Sequence, residues 1–144
     1  MSRVYNLGQL AITGELTAAV ITTGVTSQGG AQALIDRLDG MNAVTLEADF
    51  DYGGSGGTTC IVRVQTRLGA GGDWIDIARL DFATTSARKA CTINGLAAKA
   101  VAAVAALGAE GVLDGILGDA LRAVVTSTGT YGANTNLAVR AAVR

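Results

Sequence analysis

Glu47, Asp49 and Asp51 recur at every second position of the run Ala43–Asp51. Side chains two apart on a strand share a face, so the three carboxylates would form one row. Such a row could pair as general acid and base, or hold calcium through oxygen ligands. The preferred reading is plainer: a wet strand face, with Arg63 and Arg67 opposite it across a hairpin. Other chemistry is closed off by composition. The chain has no histidine, which removes the commonest general base, the Ser-His-Asp triad and any histidine-containing zinc site. Two cysteines, Cys60 and Cys91, cannot make a Cys₄ site, and no phosphate-cradling glycine loop opens a helix. No catalytic residue, cofactor or metal ion is expected, and the protein is read as a non-enzyme.

The elements around these residues are strands. In Ala43–Asp51, Val44, Leu46, Ala48 and Phe50 alternate with the acids. In the next segment Cys60, Val62, Val64, Thr66 and Leu68 alternate with Ile61, Arg63, Gln65 and Arg67. The cluster Gly53-Gly54-Ser55-Gly56-Gly57 joins the two, and Gly69-Ala70-Gly71-Gly72 leads on to Trp74-Ile75-Asp76-Ile77. Glycine supplies the backbone conformations of tight reversals, so residues 43–82 are expected to form an antiparallel meander. Within the last segment Trp74, Leu80 and Phe82 share one parity, while Ile75 and Ile77 take the other. Either a bulge near Ala78 resets the register or both faces are covered.

Before the meander, two strands are expected around Gly14, with residues 1–8 a candidate N-terminal arm. Leu34, Ile35 and Leu38 stand at helical spacing ahead of Gly40, which predicts a short helix over 31–39. After the meander come a strand at 87–96, a strand at 121–128 and a C-terminal strand from Leu137 to the last residue. Between them lies an alanine-rich excursion at 97–110, expected as a loop with partial helix and a candidate contact surface.

The tally predicts an all-β fold: a two-sheet antiparallel sandwich of jelly-roll or Greek-key type, about eight strands, as one domain over 1–144. A closed barrel is the alternative. Charged residues make up 16% of the chain, against about 25% in a typical soluble domain. So few charges suggest that part of the surface is covered by a partner. The net charge of −1 offers no basic footprint for nucleic acid. The charge-free stretch 16–35 is too rich in threonine, glutamine and glycine for a membrane span.

Three stretches carry a resemblance. Val44-Thr45-Leu46-Glu47-Ala48-Asp49-Phe50-Asp51-Tyr52-Gly53 is the first, and Trp74-Ile75-Asp76-Ile77-Ala78-Arg79 the second. The third is Asp114-Gly115-Ile116-Leu117-Gly118-Asp119 with Ser127-Thr128-Gly129-Thr130-Tyr131. Together they resemble small structural proteins of tailed bacteriophages, over residues 43–143. Among these the chain is most similar to capsid cement (decoration) proteins. The resemblance implies a virion protein on the capsid surface, made in the bacterial host cytoplasm, that binds the major capsid protein and staples neighbouring capsomers. It also implies a homo-oligomer, with a dimer favoured and a trimer possible, and brings no motif-defined site residues. The contact residues to test are Arg3, Val4, Tyr5, Leu7 and Leu10 of the arm, the pair Arg88 and Lys89, and Lys99, Val101 and Val104 of the excursion. The alternatives are a head–tail connector or tail component, or a carbohydrate-binding module using Trp74, Tyr5, Tyr52 or Tyr131 as a stacking platform.

Overall fold

A computed structural model of the chain describes the backbone of residues 3–25, 31, 34, 35, 38, 40–132 and 134–144, with side chains for all of these but 3 and 4. Eight strands follow in order: β1 (Arg3–Ala11), β2 (Leu16–Val20), β3 (Ala43–Asp51), β4 (Thr59–Arg67), β5 (Ile75–Phe82), β6 (Ala87–Asn94), β7 (Ala120–Thr128) and β8 (Asn136–Val143). They form two four-stranded sheets, ordered β1-β8-β3-β6 and β2-β7-β4-β5, with every pairing antiparallel. Only the β4–β5 link stays within one sheet; each other connection passes from one sheet to the other. That winding is a jelly roll.

Alternation puts one face of each strand into the shared core. Val44, Leu46, Ala48 and Phe50 of β3 are buried together with Cys60, Val62 and Val64 of β4. Leu121, Ala123 and Val125 of β7 and Leu137, Val139, Ala141 and Val143 of β8 complete the interior. The C-terminal strand lies between β1 and β3, as the alternation up to Val143 leads one to expect. At one end Phe50 stacks on Phe82 at 5.1 Å between centroids, and Tyr131 meets Phe50 edge-on at 5.8 Å. Both cysteines are free, and burial pushes the Cys60 thiol up to about 12. Burial and the charge of Asp114 also raise the Cys91 thiol, so neither is poised as a nucleophile.

Four expectations meet the structure differently. The meander is divided: β3 pairs with β6 and β8, whereas β4 pairs with β5 and β7. The glycine cluster after β3 therefore crosses between sheets rather than closing a hairpin. A Cβ on Gly57 (φ +76°) would lie 2.3 Å from the Tyr131 ring, and one on Gly56 (φ +71°) 2.1 Å from the Thr130 carbonyl oxygen. The glycines thus serve close passage beneath the β7–β8 turn as well as reversal. Consequently Glu47 faces Arg140 of β8 at 3.2 Å and Arg88 of β6 at 3.6 Å, not Arg63 or Arg67.

The expected N-terminal arm is a strand from Arg3 on, residues 1 and 2 lying outside the described residues. β1 pairs with β8 from Arg3↔Val143 to Ala11↔Asn136, with one register shift between Asn6 and Gly8. The helix expected over 31–39 falls partly outside the described residues. Those described are not helical. Ala31 bridges Val25, and Ile35 exchanges both backbone bonds with Leu121, at 3.0 and 2.7 Å. Leu38 donates its N–H to the Asp119 carbonyl at 2.9 Å. Ile35 and Leu38 are core anchors, but β7 and the residue before it satisfy their backbone groups where β2 has already ended. In β5 the bulge reading holds. Val64 pairs with Ala78 and Gln65 with Asp76, leaving Ile77 as the extra residue.

Candidate interaction surface

The connection 95–119 between β6 and β7 carries four of the five large apolar side chains exposed among the described residues, Leu68 before β5 being the fifth. Val101 is fully exposed, Val104 65% and Leu96 73%. Among the described residues 97–108 no helix forms, although the stretch is alanine-rich. Propensity yields here because a helix this short is marginal without a packed face, and these residues are exposed. Every residue from Ala98 to Ala106 is exposed, and Lys99 is the only charge among them.

The C-terminal end of the segment is clamped by polar groups of β5. Asp76 is buried, and its Oδ2 accepts the Leu107 N–H at 3.2 Å while its Oδ1 accepts Gln65 Nε2 at 2.7 Å. Arg63 lies 3.6 Å from the same carboxylate, and Gln65 in turn accepts Arg122 Nε at 2.8 Å. Arg79 grips Asp81 with two parallel bonds, 2.8 and 3.0 Å, and donates through its third nitrogen to the Leu107 carbonyl at 3.2 Å. The hydrogen bond to Asp81 raises the Arg79 pKa further above its ordinary value. Lys89 of β6 bonds the Asp81 carbonyl at 2.5 Å and the Glu110 carboxylate. Beyond the clamp, Gly111–Leu113 runs along β5: Arg79 N–H bonds the Gly111 carbonyl and Leu113 N–H the Ile77 carbonyl, both at 2.9 Å. Ile77 and Arg79, two residues apart, turn their backbone groups to the same free side of β5. Asn94 closes the loop, donating to Asp114 at 2.8 Å and accepting from Gly115 at 3.0 Å. Behind the alanine run, Leu113 and Ile116 line a cavity of about 230 Å³.

The candidate contact residues are dispersed by this arrangement. Tyr5 and Leu7 are core residues, and Leu10 packs half-buried against the core. Tyr5 and Leu7 thus present almost no surface, while Leu10 keeps part of its own exposed. Arg3 and Val4 lie in β1 opposite Val143 and Ala142, with their side chains outside the described residues. Arg88 is exposed beside Glu47, and Lys89 is engaged by the clamp. Lys99, Val101 and Val104 share the exposed excursion. The clamp residues Asp76, Arg79, Asp81 and Glu110 had one visible signal: Asp76 is an acid on the parity of Trp74, Leu80 and Phe82.

The four aromatic residues of the carbohydrate-binding alternative lie in different settings, with Tyr52 and Trp74 half-buried. Tyr5 and Tyr131 are buried, and the guanidinium groups of Arg67 and Arg122 lie over the Trp74 ring at 4.9 and 4.3 Å. The acidic row at Glu47, Asp49 and Asp51 is the solvent-side face of β3, and no group of three metal-ligating side chains occurs among the described residues. No described helix is long and apolar enough to cross a membrane. No family model matches the chain, and no curated protein is significantly similar to it.

Proposed function

We propose that this chain is a non-enzymatic virion structural protein that binds the outer surface of a bacteriophage capsid and cements neighbouring major capsid protein subunits. The observation that carries the reading is the 98–106 segment. It is exposed along its whole length, nearly charge-free, and held at its C-terminal end, where Asp76 and Arg79 both bond Leu107. Long loops without secondary structure on a rigid scaffold are where binding function concentrates. A loop with apolar tips and an end tied to the scaffold has less freedom to lose on docking. The sequence resemblance supplies the choice of partner; jelly rolls by themselves serve capsid, lectin and other roles.

The mechanism is linkage. A protein that binds the expanded shell and not its dissociated or immature form stabilises the shell by mass action. Repetition over a lattice gives avidity from contacts that are individually weak. The test is to add purified protein to undecorated shells. Saturable binding in hundreds of copies per particle, with a raised shell melting temperature, is the expected result. Val101→Asp with Val104→Asp should abolish it. Six or twelve copies per virion would place the protein at the connector or tail, and no association with particles would end the reading.

A further inference from the structure

A sandwich of two open sheets has four edge strands, here β1 and β6 in one sheet and β2 and β5 in the other. Three of them are blunted. Val25 exchanges both backbone bonds with Asn6 on the free side of β1, and the Thr23 hydroxyl bonds both backbone groups of Gln9. β2 is five residues long, with a register shift and Ala18 at φ +47°. β5 is covered by Gly111–Leu113. An edge with open backbone groups is a template for another strand; β6 carries Arg88 and Lys89, but no chain segment covers its backbone from 88 to 92 among the described residues.

Its exposed groups follow from alternation. Asn94 turns its N–H and C=O away from β3, towards Asp114 and Gly115. By the two-residue period, Arg88, Ala90 and Thr92 turn theirs the same way. All three residues are exposed, and their outward backbone groups meet no partner among the described residues.

We infer that two copies of this chain pair through β6, antiparallel about a two-fold axis at Ala90. The edge is its own complement. Rotation about Ala90 sets Ala90 against Ala90 and Arg88 of one copy against Thr92 of the other. Each of those facing pairs exchanges two N–H···O bonds, so every bare group on both edges is satisfied. No like charges face each other. Lys89, held by Asp81 and Glu110 of its own copy, stands opposite Cys91 rather than opposite a second Lys89. An axis at Cys91 is poorer, because it sets Arg88 against Asn94, whose groups are already taken. The inference rests on the strand edges alone and does not depend on the shell-binding reading.

Ala90→Pro removes the outward N–H at the axis and no bond of the β3–β6 ladder, since proline is tolerated on the solvent side of an edge strand. Ala90→Lys instead places two positive charges against each other. Sedimentation equilibrium at micromolar concentration should give twice the 14.4 kDa chain mass for the wild type and the single chain mass for both variants, with unchanged circular dichroism. If the proline variant fails to fold, the lysine variant decides. A monomeric wild type, or a folded lysine variant that still dimerises, overturns the inference; so does an edge that becomes protected from hydrogen exchange only when a different protein is added. Shell binding by the monomeric lysine variant is a separate readout, so either proposal can fail without the other.

Discussion

The Asp76 carboxylate accepts the backbone N–H of Leu107 from thirty-one positions along the chain, at 3.2 Å, and so binds the end of the exposed excursion to β5. The same carboxylate serves Gln65 and lies beside Arg63, so its removal leaves buried polar groups without partners. Asp76→Ala is expected to cost about 1–3 kcal/mol of stability. It should also speed proteolysis within 98–106 at temperatures well below unfolding. An unchanged cleavage rate would show that Arg79 and Glu110 hold the loop unaided.

Gly54 and Gly57 both sit at positive φ, at +96° and +76°, yet their surroundings differ. A Cβ at Gly54 meets nothing within 4 Å, whereas one at Gly57 enters the Tyr131 ring. Gly54→Ala should therefore carry backbone strain alone. Gly57→Ala adds a steric clash with a buried aromatic and should be destabilising by roughly 1–3 kcal/mol, and by more than its neighbour. Denaturant unfolding of the two variants side by side tests the ordering, and equal losses would contradict it.

Val101 is fully exposed, Val104 is mostly exposed, and neither belongs to the core or packs against it. The double change to aspartate should leave the unfolding free energy within about 0.5 kcal/mol of the wild type. A larger drop in thermal or urea unfolding would mean that the excursion contributes to the core.

Glu47 lies between Arg88 and Arg140 on the solvent face of the first sheet. Such exposed pairs contribute at most about 1 kcal/mol, and salt screens them. Glu47→Gln should shift the urea midpoint only slightly, with the difference vanishing in high salt. A loss that persists in high salt would argue against this assignment.

Burial holds the Cys60 thiol and the Tyr131 phenol neutral, each pushed up to about 12 from ordinary values of 9.0 and 10.0. For both groups the folded value lies above the unfolded one, so the unfolded chain releases its proton first as pH rises. Their contribution is full below pH 9 and is lost progressively towards pH 12. Melting temperature should fall across that window. In Cys60→Ala the thiol's share of the fall should disappear, leaving the part that begins near pH 10. A variant as steep as the wild type from pH 9 would rule the thiol out.

Much of the architecture is written locally. The two-residue alternation in Val44–Phe50, Cys60–Thr66 and Leu137–Val143 specifies strands, buried faces and a two-layer body, because a strand's side chains can only point two ways. The parity break after Ile77 announces the bulge for the same reason. Partnership is another matter. Nothing in residues 43–67 says that β3 and β4 belong to different sheets, since a glycine link that can close a hairpin can also cross a core. Only assembly of the whole jelly roll sets Glu47 beside Arg140, makes β1 a paired strand and brings Asp76 to Leu107. Periodicity records the solvent on either side of a residue, whereas neighbours distant in sequence are chosen by the packing of all eight strands at once.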